Sequence, residues 1–248
     1  MRALLVGYGK MGRAIEAVLV TRGHGVTGRF GGREEGDFLE GNGASGGVGA
    51  EACDVAFEFT APEAAPRLVP RLLSKKIPVL SGTTGWDTGE AVRLATELSV
   101  PFLHSANFSL GVAAMRRGAA VVAAALAPFR EFHPGLVERH HSAKRDAPSG
   151  TARALAADVT HASGRRDVPI ASLRQGGVPG EHTLYFEGED ETVEIVHRAR
   201  SRAIFAQGAV RSAEWMLASG RTGPLTFDDF FAAASRTDAS RENGRRTS

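Results

Sequence analysis

The apolar residues of the first hundred positions fall into short runs, each about the length of one buried strand. Between several of these runs, apolar residues recur every three or four positions, which is typical of an amphipathic helix. The runs lie at positions 1–7, 25–30, 54–59, 77–80 and 101–104, and a clear helical segment covers 87–98. This alternation of strands and helices predicts an α/β fold with a parallel, doubly wound sheet.

The pattern changes after an apolar helix at 110–126. A strand at 135–142 and a helix at 151–162 come next, followed by strand-like runs at 170–174, 181–187 and 192–198. Several strands beside one or two helices predict a second, α+β domain with an open mixed sheet. Helical spacing returns at 202–219, a short aromatic segment covers 224–234, and from Ser235 we expect a disordered tail.

A glycine-rich turn joins the first predicted strand to the first predicted helix. Its six residues form the pattern G-x-G-x-x-G: Gly7, Tyr8, Gly9, Lys10, Met11 and Gly12. Between a strand and a helix, these glycines allow a tight turn and a close approach to a pyrophosphate. We therefore expect a Rossmann-type dinucleotide-binding domain, with an ordinary tight turn as the alternative.

The residues after the second strand bear on which dinucleotide is bound. Enzymes that use NAD usually carry an acidic residue there, whereas this chain has Arg29 and Arg33. An arginine suits the 2′-phosphate of NADPH, so we favour NADPH. The acidic pair at 34–35 leaves NADH possible, and both arginines could instead be plain surface residues.

Two polar loops follow later strands of the same sheet. Ligands of open α/β sheets bind at the carboxyl ends of the strands, which is where both loops begin. We expect cofactor contacts from Gly82, Thr83, Thr84, Ser105, Ala106, Asn107 and Phe108. The alternative is that these loops only cap the helices that follow them.

The stretch 138–152, ERHHSAKRDAPSGTA, has the features of an anion-binding and proton-donating site. Ser149 suits the N-cap of the helix that follows, whose first backbone N–H groups and dipole attract an anion. His140, His141 and Lys144 lie just upstream, and histidine exchanges protons near neutral pH. Alternatively, the histidines cap a surface strand, or they bind zinc, although no third ligand has the usual spacing.

Four further residues near this stretch are less informative. Asp146 is expected to turn the loop, and His182 and His197 to be ordinary, hydrogen-bonded sheet residues. Arg174 could hold a carboxylate or an ion pair between subunits, and the sequence does not decide.

Composition excludes several classes of function. The net charge is only +2, with no basic stripe interleaved with aromatic residues, so we expect no nucleic-acid partner. No apolar stretch has the length of a membrane span, so we expect no membrane partner. The single cysteine, Cys53, fits a reducing compartment, which favours a cytoplasmic location.

The chain resembles the dihydrodipicolinate reductase (4-hydroxy-tetrahydrodipicolinate reductase) family. The string at 138–152 carries most of this resemblance, which extends from GYGKMGRAIE through FEFTAPEA and SGTTGW to FAQGAVRSAEW. It implies reduction of a cyclic, unsaturated dicarboxylate by NADH or NADPH in lysine and diaminopimelate synthesis. It also implies a dinucleotide-binding domain (1–108), a substrate-binding and tetramerisation domain (109–202), a segment that rejoins the first domain (203–234) and a tail (235–248).

The resemblance also assigns roles to particular residues. His140 would be the general acid, Lys144 a second proton donor, and His141, Gly150 and Thr151 ligands of the substrate carboxylates. One departure affects the cofactor: the acidic residue that many members carry after the second strand aligns with glycine at 31 or 32. Two other functions stay open, an aspartate-type amino-acid dehydrogenase and a non-catalytic dinucleotide sensor.

Overall fold

The computed structural model describes residues 1–31 and 53–246, with side chains up to 236. The chain divides into two compact units. The first unit consists of Met1–Phe108 and Ala203–Ser248, and the second unit is Ser109–Arg202. The chain thus leaves the first unit once and returns to it.

The first unit is built on six parallel strands. These are β1 (Arg2–Val6), β2 (Gly25–Phe30), β3 (Val55–Glu58), β4 (Val79–Ser81), β5 (Phe102–His104) and β10 (Pro224–Thr226), in the order β10-β5-β4-β3-β1-β2. Its helices are α1 (Lys10–Thr21), α2 (Ala65–Ser74), α3 (Gly89–Leu98), α6 (Ala203–Ala218) and α7 (Phe227–Arg246). The predicted Rossmann-type parallel sheet is confirmed.

The C-terminal segment differs from our expectation. The residues predicted only as an aromatic segment form β10 and the start of α7. A strand of three residues has no measurable period, and Pro224 is tolerated because it opens a strand at the sheet edge. Helix α7 also continues past Ser235 to Arg246, whereas the disorder expected of this tail stays a prediction.

The second unit contains a mixed sheet covered on one face by two helices. The strands are β6 (His133–His140), β7 (Ile170–Arg174), β8 (Glu181–Glu187) and β9 (Thr192–Arg198), in the order β7-β6-β8-β9; the helices are α4 (Leu110–Leu126) and α5 (Gly150–Ser163). Only the β6–β7 pair is parallel. Leu136, Leu184 and Phe186 of the sheet pack with Met115 and Leu155 of the helices, so the predicted open mixed sheet is confirmed.

Across positions 1–31 and 53–246, no helix is both long and apolar enough to cross a membrane.

Candidate active site

The two-residue repeat of a β-strand places Glu138 and His140 on the same face of β6. Side chains two residues apart point to the same side of a sheet, and Glu138 and His140 are 0% and 8% exposed. The strand ends at His140, so His141 already belongs to the loop. This is the geometry in which both histidines can approach one ligand.

The Glu138 carboxylate accepts hydrogen bonds from three elements. Its Oε1 accepts from Arg174 Nη2 at 2.8 Å and from the backbone N–H of Ser149 at 3.3 Å, and Oε2 contacts His140 Nδ1. Burial alone would raise the pKa of Glu138, but hydrogen bonds from Arg174, Ser172 and His140 outweigh it and lower the pKa to about 2. Glu138 is therefore a carboxylate at any working pH.

The His140 imidazole is held in a mostly buried, crowded position. Burial lowers its pKa below the ordinary value, the Glu138 carboxylate opposes this, and the charges of Lys144 and Arg174 add to the lowering. The His182 ring stands edge-on to it with ring centroids 5.2 Å apart. On the far side, a Cβ at Gly180 would lie 3.2 Å from His140 Nε2, so glycine leaves that atom open.

His182 and His197 meet our expectation of hydrogen-bonded sheet residues through one ring nitrogen only, since the Nε2 atoms lie 3.3 and 3.4 Å from the hydroxyl groups of Ser149 and Ser109. They face each other on β8 and β9, and the Nδ1 of each is buried without a hydrogen-bond partner in the described part of the chain. Burial lowers the pKa of His182 to about 4. Ser149 Oγ already accepts from the Ala152 N–H, so its hydroxyl proton is available to His182 Nε2, 3.3 Å away.

The start of α5 has the predicted form. Ser149 is its N-cap, with the hydroxyl oxygen accepting the Ala152 N–H at 3.1 Å, and Gly150 and Thr151 open the helix. We expected Asp146 only to turn the loop, but its side chain also makes contacts of its own. Its carboxylate pairs with Lys144 Nζ at 2.6 Å, and burial is outweighed by this pair and by the Gly150 N–H, so its pKa is lowered. The chain's own carboxylate thus lies between the two groups predicted to bind an anion.

Among the described residues, three side chains could together hold a metal ion, and only one of them, His140, belongs to the histidine pair considered for zinc. One ligand atom each of Glu138, His140 and His182 lies within 4.8 Å of the others. However, Arg174 and Lys144 add positive charge around this group, and Glu138 is already fully engaged in hydrogen bonds. These neighbours fit a proton-transfer site better than a cation site.

In the first unit, the glycine turn fits close approach by a ligand. A Cβ at Gly7 or Gly12 would collide with backbone at 2.1 and 2.6 Å, so these two glycines are required by packing. A Cβ at Gly9 would meet nothing within 4 Å, and Gly9 caps α1 without a side-chain hydrogen bond. A pyrophosphate binds where free space lies in front of unpaired N–H groups at a helix N-terminus. Lys10 and Met11 are the first residues of that helix.

The arginine near the end of β2 is already paired within this unit. Arg29 forms an ion pair with Glu16, and its guanidinium lies 5.9 Å from the centre of the Tyr8 ring. The Tyr8 hydroxyl donates to the same Glu16 carboxylate, and Arg13 lies over the ring at 5.3 Å. Arg33, the other arginine predicted to bind the 2′-phosphate, lies outside the described residues.

A second buried glutamate, Glu58, anchors the polar loop that follows β4 in the first unit. Glu58, at 0% exposure, accepts from Ser81 Oγ at 2.6 Å, from Thr83 Oγ1 at 2.6 Å and from the Thr60 N–H at 3.0 Å. The Thr83 side chain is thereby occupied inside the protein, which leaves backbone groups and the exposed Thr84 to face a ligand.

The other polar loop is closed by its own hydrogen bonds. Ser105 Oγ donates to the Asn107 carbonyl at 2.8 Å, and Ala106 at the loop tip is exposed. Phe108 is 2% exposed and packs against the rings of Phe59 and Phe227, so its side chain serves the core. Together with the Glu58 loop, this places polar backbone at the carboxyl ends of β4 and β5.

Family models match both parts of the chain. The model described as dihydrodipicolinate reductase, N-terminus, matches residues 1–108, and the model described as dihydrodipicolinate reductase, C-terminus, matches residues 111–231. The chain belongs to the dihydrodipicolinate reductase family. The second of these models contains the Glu138–His140 strand end and the α5 start.

Individual relatives agree with this membership. A 4-hydroxy-tetrahydrodipicolinate reductase of Christiangramia forsetii is 32% identical over 242 residues, covering 92% of this chain and 97% of the relative. One from a Nitratiruptor species is 36% identical over 196 residues, covering 71% and 76%. A dipicolinate-bound dihydrodipicolinate reductase from a Paenisporosarcina species shares the fold, with a TM-score of 0.72 at 20% identity over 91% of this chain and 97% of that one.

Sequence reasoning singled out His140, Lys144 and the start of α5. It left open that Arg174 holds a carboxylate, but it did not connect Glu138 or His182 with this site. Glu138 could have been found, because a glutamate two residues before a candidate histidine shares its face of a strand. Arg174 and His182 come from β7 and β8, and no local pattern connects them to His140.

Proposed function

We propose that this protein reduces 4-hydroxy-tetrahydrodipicolinate to tetrahydrodipicolinate in lysine and diaminopimelate biosynthesis, as a nicotinamide-dependent oxidoreductase of the cytoplasm. The observation that carries this is the second unit's strand end, where a buried, carboxylate-paired His140 lies beside the start of α5. The names and coverage of the relatives support the same reaction. The first unit is the proposed dinucleotide-binding domain, and the second unit is the proposed substrate and tetramerisation domain.

His140 is the proposed general acid and Lys144 a second proton donor. Because its pKa is lowered, His140 is neutral in most free molecules at pH 7. A bound dicarboxylate adds negative charge and raises that pKa, so substrate binding itself loads the proton. The nicotinamide supplies the hydride; His140 and Lys144 neutralise the negative charge that then develops on the substrate.

The substrate carboxylates are proposed to bind at His141, Gly150 and Thr151. The dipole of α5 and the Lys144 ammonium favour an anion here. The Asp146 carboxylate contacts Lys144 and the Gly150 N–H, which supports a carboxylate-binding role for this position. A substrate carboxylate would replace that of Asp146.

Replacement of the two proton donors tests the catalytic assignment. We expect His140→Ala and Lys144→Ala each to reduce turnover of freshly prepared substrate by about 100-fold or more. If each single variant loses less than tenfold, the assigned roles are wrong. A dinucleotide sensor would instead bind the cofactor without any turnover in the unaltered protein.

NADPH is the proposed cofactor, and NADH remains possible. Support comes from the positive charge at the end of β2, where Arg13 and Arg29 flank Tyr8. The proposed contacts are the glycine turn, the loops at 82–84 and 105–108, and Arg33. Comparison of kcat/KM for NADPH and NADH tests this preference, first in the unaltered protein and then in Arg29→Ala and Arg33→Ala. An unchanged ratio in either variant removes that arginine from the phosphate site.

A homotetramer assembled through the second unit's sheet is also part of the proposal. Val137, Leu173 and Val196 lie on the face of this sheet opposite α4 and α5 and are 38%, 46% and 37% exposed. Light scattering of the purified protein measures the assembly, and Val196→Glu is expected to dissociate it. A monomer in the unaltered protein would refute this element.

A further inference from the structure

We propose that Glu138 is a positioning residue for this reduction: by accepting the Nδ1 proton of His140, it makes Nε2 the atom that delivers the proton. The proposal rests on the proposed function, in which His140 protonates the substrate.

The hydrogen bond between Glu138 and His140 fixes which ring nitrogen exchanges its proton. An ionised carboxylate can only accept hydrogen bonds, so His140 Nδ1 must carry a proton when it contacts Glu138 Oε2. Neutral His140 then has a bare Nε2, and charged His140 has a proton there. Proton exchange therefore occurs at Nε2 in both directions.

Glu138 is itself held in place from two other directions. Arg174 of β7 binds Oε1 at 2.8 Å, and the Ser149 N–H at the start of α5 binds it at 3.3 Å. A carboxylate with these partners cannot rotate away from His140 without leaving a buried donor unpaired. The imidazole is consequently oriented relative to the start of α5, where the substrate carboxylate is proposed to bind.

Among the charged groups around His140, Glu138 is the one that stabilises the protonated imidazole. The charged and titratable groups near the imidazole are Glu138 on its own strand, Arg174 on β7, His182 on β8 and Lys144 in the following loop. The N-cap of α5, Ser149, is neutral and contacts Glu138 and His182. Arg174 and Lys144 disfavour the imidazolium, and Glu138 favours it. Loss of the negative charge alone would leave His140 among positive neighbours.

Gly180 keeps the opposite nitrogen accessible. A Cβ at this position would lie 3.2 Å from His140 Nε2 and 3.4 Å from Cδ2. Glu138 on one side of the ring and the absence of a side chain at Gly180 on the other therefore act together. Glu138 directs the proton to Nε2, and Gly180 leaves room for the group that accepts this proton.

Glu138→Gln tests the proposal because it keeps the size of the side chain and one oxygen for Arg174 and Ser149, but removes the charge. We expect kcat/KM to fall by about 100-fold at pH 7.5. A general acid loses activity as pH rises through its pKa, and we expect this limb of the kcat/KM profile to move to lower pH. A purely structural role would lower activity and leave the limb in place.

The matched control is Glu58→Gln, the same substitution at the other buried glutamate. Its recorded partners are hydroxyl groups and a backbone amide, with no titrating group among them. We expect the limb of this variant to coincide with that of the unaltered protein, whatever happens to cofactor KM. Glu138→Asp, which keeps the charge, should hold the limb closer to its original position than Glu138→Gln does.

A spectroscopic measurement separates this proposal from the proposed function. In the unaltered protein without substrate, ¹⁵N chemical shifts of neutral His140 should show protonated Nδ1, and in Glu138→Gln the His140 titration should move to lower pH. A protonated Nε2 in the unaltered protein overturns the proposal, even if Glu138→Gln does not fold. If His140→Ala abolishes turnover while the Glu138→Gln limb and titration stay unchanged, only the positioning role fails; if His140→Ala is active, the proposed function fails.

Discussion

Among the described residues, one glutamate in each unit is fully buried close to the carboxyl end of a strand, but the two glutamates have different hydrogen-bond partners. Glu58 in the first unit accepts from the hydroxyl groups of Ser81, Thr83 and Thr60. Glu138 in the second unit accepts from the guanidinium of Arg174 and the imidazole of His140. Hydroxyl donors keep their protons at every working pH, so Glu58 can only hold loops in place, whereas one partner of Glu138 can give its proton away.

The largest expected effect that separates the two glutamates is on stability. Glu138→Leu leaves the mostly buried Arg174 charge without its carboxylate, which should destabilise the second unit by roughly 3–5 kcal/mol. Glu58→Leu leaves neutral donors unpaired and should cost less, about 2–3 kcal/mol. Both tryptophans, Trp86 and Trp215, belong to the first unit. Urea unfolding followed by tryptophan fluorescence therefore reports Glu58→Leu, and circular dichroism reports both.

The surface variant Glu97→Leu is the control for hydrophobic substitution of a glutamate. Glu97 is exposed and pairs only with Arg93 at 2.7 Å, so we expect a change within about 0.5 kcal/mol. A Glu58→Leu variant that loses more stability than Glu138→Leu would contradict the distinction between charged and neutral partners.

Acid should destabilise the second unit through His182. The pKa of His182 falls from 6.5 to about 4 on folding, so the unfolded chain binds its proton more tightly. Its contribution is complete above pH 6.5 and is lost as pH falls from 6.5 towards 4, at most by about 3 kcal/mol. His182→Asn should flatten this slope in denaturation series at pH 7.5, 6 and 5, and the exposed His161→Asn should not. An equally steep slope in His182→Asn would exclude His182 as its source.

A smaller effect should appear at the glycine turn of the first unit. A Cβ at Gly9 has no atom within 4 Å, so Gly9→Ala should fold normally but weaken cofactor binding about tenfold if a pyrophosphate lies there. Gly7→Ala should fail to fold, because Gly7 has a φ of +95° and a Cβ would lie 2.1 Å from the Phe59 carbonyl oxygen. Calorimetric titration with NADPH measures the first variant; unchanged affinity would place the pyrophosphate elsewhere.

The smallest expected effect concerns the open side of His140. Gly180→Ala brings a methyl group to 3.2 Å from Nε2, and the φ of +156° at this position adds some backbone strain. We expect kcat to fall by about three- to fivefold, a free-energy change near 1 kcal/mol, with cofactor affinity unchanged. Steady-state kinetics with the cofactor and the substrate varied separately distinguishes these quantities, and an increase in cofactor KM alone would show that the methyl group acts elsewhere.

Features fixed by neighbouring residues were predictable from the sequence. The Ser149 N-cap, the turn at Gly7–Gly12 and both sheet types follow from local spacing, and the structure contains all of them. The remaining features depend on the pairing of distant strands. Arg174 and His182 reach Glu138 and His140 because β7 and β8 flank β6, and an unpaired ring nitrogen such as His182 Nδ1 leaves no trace in a sequence.

Asp146 and β10 illustrate two other limits. The sequence suggested a turn at Asp146. It did not suggest that the Asp146 carboxylate would occupy the position expected for a ligand carboxylate, because that depends on the conformation of the loop. The strand β10 has three residues, too few for any periodicity, and is a strand only because β5 offers it an edge.

The return of the chain to the first unit has a consequence for synthesis on the ribosome. Strand β10 pairs with β5, although the whole second unit lies between them in the sequence. When β5 leaves the exit tunnel, its outer edge has no partner until more than a hundred further residues have been translated. The second unit is by then fully synthesised, so the unit that begins translation first is the last to be finished. Until then the nascent chain exposes a β edge that a chaperone could protect and a neighbouring nascent chain could bind.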